Sequence, residues 1–588
     1  MAGWTPLTTQ PGFSANHMML MTDGTVLVQE LATANWHKLS PDAFGSYVNG
    51  SWTSLAVGPV GPTYFASAVM RDGRIFMAGG EDNFGSDSVD INACEIYDPV
   101  NNTWTTINGP GWANIGDAPC CVLPDGRILL GNINTTATAI YDPVANSWSN
   151  GATKNDASSE ETWTLLPDQT ILVAECSNHP ATEKYVIPGE KWVSAGSTPA
   201  GHDLVQSSIG SSNEIGPAIL MTDGRVFAIG ASGHTAIYTM PPVADQQGTW
   251  TAGPDFPSDS MGRPFQAFDA PAALLPNGHV LCLAGPVKSD GWAGPCHCYE
   301  FDGTSLNPVP DPPNGGGTVE TWYARMLLLP TGEVLLSTRS NDIRVYQADG
   351  TPDPSWAPQI TSCPSNLKPG FSYTVQGRQL NGLSQANSYG DDATMATNFP
   401  LVRITNSSTG HVRYCRTHDF STMAVATGNV VHSAKFDVPS DIELGPSILC
   451  VVANGIEQCI SVSVSHKLWK ELKWEIKEIK ENVKVEVDVI QKSIVADLPK
   501  FKDNEGDPFL PNAGDPQWMQ IIQMIIERTD QLQAQMTELR TFIRGEERPQ
   551  PGESALAAEV PAPAAKPASK TASKSTKDTG PKGKGSKR

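Results

Sequence analysis

Short apolar runs broken by tight polar turns recur through the first 350 or so residues with a period of roughly 40–50 positions. Seven turns share one pattern: LMTDGTVLVQE (20–30), VMRDGRIFMAGG (69–80), VLPDGRILLGN (122–132), LLPDQTILVAE (165–175), LMTDGRVFAIG (220–230), LLPNGHVLCLAG (274–285) and LLPTGEVLLST (328–338). Asp-Gly or Asn-Gly between two β-rich runs is a strong hairpin signal, and it predicts type I′ turns, whose central residues both need positive φ. Outer runs with aromatic positions follow, as in CEIYDPVNNTWTTI (94–107) and TAIYDPVANSWSNG (138–151). Four strands per repeat make a propeller blade. The seventh repeat ends in IRVYQADG (343–350) without a good Trp strand, while GWTPLTT (3–9) is a spare one. The N-terminal strand is therefore expected to complete blade seven and close the ring.

The expected class is all-β, a seven-bladed propeller over 1–355 followed by an immunoglobulin-like β-sandwich over 356–465, where short alternating strands continue. Over 466–496 the period becomes helical, with Leu468, Leu472, Ile476, Ile479, Val483, Val487, Ile490 and Ile494 on one face. Trp518, Ile522, Ile525, Thr529, Leu532, Met536, Leu539 and Ile543 follow a 4-3 rhythm, so 466–544 is read either as a coiled coil that forms a homo-oligomer or as helices docked on the body. The Ala/Pro/Lys/Ser-rich tail, 545–588, is expected to be disordered.

Composition fits a large multi-domain chain: 588 residues, with 53 Gly and 47 Pro serving the turns. The formal net charge of -22 averages two regions, because residues 566–588 hold eight basic side chains against Asp578 alone, leaving the rest at -29. An acidic body argues against nucleic-acid binding by the folded part. No apolar run is long enough to span a membrane as a helix. The N-terminal residues lack the pattern of a signal peptide, so a cytoplasmic location is the default, with non-classical export or assembly-borne delivery as alternatives. Eleven scattered cysteines predict mostly reduced thiols. Cys296-His297-Cys298 and Cys120-Cys121 read as buried thiols rather than metal fragments.

The hairpin repeats, the YDPVxNxW units, and APQIT (357–361), RTHDFST (416–422), FDVPSD (436–441) and VVANGI (451–456) together resemble the galactose oxidase/kelch family. That resemblance implies a propeller with an early-set sandwich and, in its radical-copper oxidases, copper on the propeller axis. The copper is held there by a Tyr-His pair, a Tyr cross-linked to Cys, and a His from the sandwich. The resemblance puts His418 at the sandwich ligand. It puts Trp322 and Tyr323 at the Tyr-His pair, and Tyr64 and Asp117 near the cross-linked pair, so most of the ligand set is replaced and radical-copper oxidation is not expected.

Counting back eight residues from each hairpin Asp or its equivalent gives Ala15, Tyr64, Asp117, Glu160, Ile215, Asp269 and Tyr323, expected at equal heights near one mouth of the channel. Three readings stay open for them: side chains that cap the channel, a carbohydrate or protein-surface site using Tyr64, Trp163 and Trp322 as ring faces, or a metal site. No cofactor is expected, although copper or calcium, or zinc or manganese around His418 and Tyr323, would suit a rebuilt centre. The tripeptides Glu161-Thr-Trp163 and Glu320-Thr-Trp322 are attributed to repeat ancestry. The overall expectation is a non-catalytic binding or structural module, the alternative being a galactose oxidase-like oxidoreductase or other metal-dependent enzyme.

Overall fold

The computed structural model describes residues 2–466 apart from 87–88, 160, 206–214, 287–293, 314–319 and 390–394. The expected helices of 466–544 and the tail lie outside the described residues, save His466 at the junction. Within these limits the protein is all-β, seven blades followed by an eight-stranded curled sheet. Among the described residues no helix is long and apolar enough to cross a membrane.

Blades one to six run in sequence order, their innermost strands beginning at Ala15, Ala66, Cys120, Trp163, Ala218 and Ala272. Blade seven is built from Arg325–Leu328, Val334–Ser337 and Arg344–Gln347, and its outermost strand is Gly3–Pro6, which pairs antiparallel with the last of these. The ring therefore closes as expected. The outer strands of five blades share one recurring contact. Tyr97 stacks on Trp104, Tyr141 on Trp148, Tyr185 on Trp192 and Tyr238 on Trp250, all at 4.9–5.2 Å between ring centroids. In blade seven Tyr346 meets Trp4 at 4.9 Å, so the N-terminal strand supplies the missing Trp. Aromatic pairs of this kind add about 0.5–1.5 kcal/mol beyond their buried area.

The hairpins are not the expected type I′ turns. In blade one Gly24 N donates to Met21 O and Met21 N to Thr25 O, and only Gly24 takes a positive φ (+75°), a type I turn followed by a left-handed residue. Asp23 earns its place by accepting from Thr25 N at 3.0 Å. All seven turns repeat the two backbone bonds, and in blade four Gln169 adopts the left-handed conformation (φ +62°) that glycine takes elsewhere.

The curled sheet docks on the hairpin-turn end of the ring: Thr417 N bonds Thr22 O, Phe420 N bonds Arg71 O and Met423 N bonds Pro124 O. Tyr414 lies against Gly24, where even a Cβ would come within 2.4 Å of its ring. Cys450 and Cys459 form a disulfide across adjacent strands; of the other nine cysteines, eight are buried. Cys296, Cys298, Cys120 and Cys121 are among the buried thiols, in agreement with the reading of them as packing residues.

Candidate functional site at the channel mouth

The innermost strands start at the end of the ring opposite the hairpin turns, and there the axial residues meet. Ala15 bridges Ser340, and Asp269 N bonds Ile215 O, which sets neighbouring blades at matching heights. Tyr64 and Asp269 both hold positive φ values (+49° and +37°), backbone positions that non-glycine residues rarely take. Tyr64 is 8% exposed and its ring centroid is 6.3 Å from that of Trp322, which packs edge-on against Tyr323 at 4.4 Å. Trp322 and Tyr323 sit on a 3₁₀ turn, Thr321–Tyr323, just ahead of blade seven's innermost strand.

Two arginines from blade seven organise this mouth, and the sequence reading passed over both. Arg339 follows the second strand, itself at positive φ (+52°), and its guanidinium carbon lies 4.6 Å from the Trp322 ring centre, 4.8 Å from Tyr64 and 5.1 Å from Tyr323. It also donates to the Tyr64 hydroxyl. A cation held against three ring faces is an arrangement of cation–π contacts. Arg325 is fully buried; it donates to Trp322 O at 2.8 Å and Ala324 O at 2.9 Å, and lies 5.7 Å from the Tyr64 ring centre. Burial holds the Tyr64 phenol well above its ordinary value; Arg339 and Arg325 pull it down by less, and Asp117 and Asp269 push it further up. The phenol is therefore protonated at any physiological pH.

A third contributor comes from the sandwich. The stretch LNGLSQANSYGDDATMATNFP (380–400) separates the strands Ser372–Arg378 and Leu401–Asn406, and its first arm enters the channel. Asn387–Ser388 adds to blade six by pairing with Ala272 and Ala273. Gln385 Oε1 accepts from Leu165 N of blade four, and Asn387 Oδ1 from Leu328 N of blade seven, each at 2.8 Å. These side chains satisfy inner-strand amides that face the axis. Tyr389 then reaches the mouth, where its hydroxyl donates to Trp322 O at 2.9 Å and Arg325 lies over its ring at 3.6 Å.

The sequence-derived candidates divide accordingly. Tyr64, Asp117, Asp269, Trp322 and Tyr323 come together around the arginines. Glu160 lies outside the described residues. His418 is elsewhere: it ends a sandwich strand, with Asp437 at 3.1 Å, Asp419 at 3.3 Å and Ser372 at 3.5 Å, beside the segment that packs on the hairpin turns. The sandwich residue at the axis is Tyr389, because the channel is entered by the 384–389 arm and not by the 416–422 loop. Trp163 is 2% exposed and packs on Trp192, so it offers no ring face to a ligand. The two Glu-Thr-Trp tripeptides share a local bond, with Trp163 Nε1 donating to Glu161 and Trp322 Nε1 to Glu320. That common hydrogen bond explains their recurrence structurally. The arginines did leave a trace in sequence, as a cation inside the apolar run ARMLLLP and a second one just after the matching strand.

A Kelch motif matches residues 62–111, and that motif sits in a ring of seven blades followed by a sandwich. The chain is kelch-like in fold, a seven-bladed propeller that carries a Kelch motif. Solved structures similar to it include a fungal alcohol oxidase of the AA5 family in complex with copper, at 15% identity and TM-score 0.45, covering 79% of this chain and 99% of that one. Another is virginiamycin B lyase from Staphylococcus aureus, at 11% identity and TM-score 0.40, covering 59% and 99%. No curated protein matches the chain by sequence.

Proposed function

We propose that this kelch-like protein is a non-catalytic binding module that takes a carbohydrate at the channel mouth. The observation that carries the reading is Arg339, seated among Tyr64, Trp322 and Tyr323 and bonded to the Tyr64 hydroxyl. The partly exposed Trp-Tyr pair offers ring faces to a sugar and Arg339 offers donors, while Asp117 and Asp269, both buried, lend the mouth negative charge close to the Tyr64 phenol. The same residues are poorly suited to a galactose oxidase-like centre. A phenol kept protonated by burial is a weak ligand and a poor source of a phenoxyl radical, and two guanidiniums beside it repel a divalent cation.

The test is a glycan array followed by calorimetry on the wild type, Asp117→Ala and Arg339→Ala. A sugar bound by the wild type and at least tenfold weaker in both variants supports the proposal. Metal analysis and peroxide release over a panel of alcohols and aldehydes form the second arm, and stoichiometric copper with turnover would overturn it in favour of an oxidoreductase. Self-association through 466–544 belongs to the same proposal, since a multivalent lectin gains avidity. Light scattering on the full chain and on a chain ending at Ser465 checks it, and two monomers would sink it.

A further inference from the structure

Away from the axis, on blade five and the connection leading into it, three side chains meet that belong to no part of the mouth: His202, His234 and Asp255. We infer that they form a binding site for a divalent first-row metal ion, with Zn²⁺ as the natural occupant. A ligating nitrogen of each imidazole and a carboxylate oxygen of Asp255 all lie within 4.8 Å of one another. Asp255 Oδ1 is 2.9 Å from His234 Nδ1 and 3.5 Å from His202 Nδ1. Ligand atoms around a tetrahedral zinc with bonds of about 2.0–2.1 Å stand roughly 3.3 Å apart, so these spans bracket the separation the ion requires. Two imidazoles and one carboxylate leave a fourth position for water or a donor from a partner.

The arrangement is held by backbone, as a ligand set must be if it is to bind without a large ordering cost. Ala231 N bonds Leu204 O, joining the His202 segment to the His234 turn, while Phe256 N bonds Gly233 O and Gly253 N bonds Thr235 O on either side of Asp255. Gly233 (φ +90°) admits no side chain, because a Cβ there would come within 2.9 Å of Pro264. The neighbouring carboxylate is committed elsewhere: Asp203 bonds His179 Nδ1 and accepts from Val205 N. His202 Nδ1 is a buried nitrogen that makes no hydrogen bond among the described residues; its carboxylate neighbour, Asp255 Oδ1, stands off at 3.5 Å, and its ring packs 4.8 Å from that of His234. A buried lone pair or N–H without a partner is a cost that a bound cation would remove. All three side chains retain some exposure, so an ion can enter from solvent.

The experiment is zinc titration of the metal-stripped full-length protein by calorimetry, with zinc content measured after dialysis and Co²⁺ as a spectroscopic probe. One equivalent of zinc, a visible cobalt band, and at least a tenfold loss of affinity in each of His202→Ala, His234→Ala and Asp255→Asn are expected. His411→Ala, which alters a similar exposed His-carboxylate pair with Glu443, is expected to bind as the wild type does. Circular dichroism on each variant separates lost ligands from lost fold. Absence of saturable zinc binding, or binding unchanged in the His202→Ala/His234→Ala double variant, would overturn the inference.

Discussion

The guanidinium of Arg325, from blade seven, lies 3.6 Å from the ring centre of Tyr389, which the sandwich carries into the channel. The two domains thus meet twice, once on the hairpin turns and again at the opposite end of the axis. Arg325 is a buried cation whose partners include two carbonyls and two aromatic faces, so Tyr389 contributes directly to the terms that offset its desolvation.

Removing only the hydroxyl in Tyr389→Phe keeps the ring over Arg325 and loses the bond to Trp322 O. A cost of about 1 kcal/mol is expected. Tyr389→Ala also leaves a cavity and an exposed face of the cation, for a cost of roughly 3–5 kcal/mol. Denaturant unfolding of both variants checks the ratio, and equal losses would contradict the ring's role.

Lys154 is fully buried between blades three and four, with Glu161 at 2.5 Å, Asp156 at 3.3 Å and Glu183 at 3.4 Å. Lys154→Met strands the carboxylates and is expected to cost about 3–5 kcal/mol. Burial already pushes Glu161 up to about 8 and Glu175 to about 7. The native state therefore holds extra protons between the ordinary glutamate range and those values, so this cluster loses stability as pH rises from about 4.5 towards 8. Unfolding curves at both ends of that window should show a smaller penalty for the variant at the acidic end.

His17 works in the other direction. Buried, with Arg325 adding repulsion, it is pushed down to about 3, while its Nε2 sits 3.0 Å from Ser67 Oγ. The unfolded chain takes up the proton first, so stability falls as pH drops from about 6.5 to 3, by up to ~1.4 kcal/mol per pH unit from this residue. Histidine-to-glutamine substitution at 17 is expected to flatten the acid limb of a stability profile, whatever it does at neutral pH.

Gly24→Ala places a methyl group into the ring of Tyr414 and forces a side chain into a left-handed position. A loss of roughly 2 kcal/mol or more is expected. Gly189→Ala, also at positive φ but with open space around it, isolates the conformational part. Similar thermal shifts in the two variants would show that Tyr414 yields freely.

The ring was legible because most blades repeat the same local chemistry, an Asx-stabilised turn in six and a Tyr facing a Trp in five, and because GWTPLTT is a strand without a local partner. The turn type was misread, since Asp-Gly serves both type I′ and the type I form found here, and only the backbone bonds distinguish them. The axial count located Tyr64, Asp117, Asp269 and Tyr323 from strand height alone. Arg325, Arg339 and Tyr389 escaped it because their positions depend on where a hairpin returns and on a polar stretch with neither a period of two nor of 3.6. A connection as long as 380–400 inside a compact sandwich was itself the available signal. His202, His234 and Asp255 have no motif spacing at all; blade pairing alone brings them together.

Gly3–Pro6 pairs with Arg344–Gln347, so this strand is made long before its partner and is among the last of the ring to find its place. During synthesis it waits as an unpaired edge until residue 347 has emerged, and the ring cannot lock blade by blade. Once locked, the ring has no unpaired blade edge at that join, and a pull applied at Gly3 peels an outer strand from blade seven before it loads any other blade.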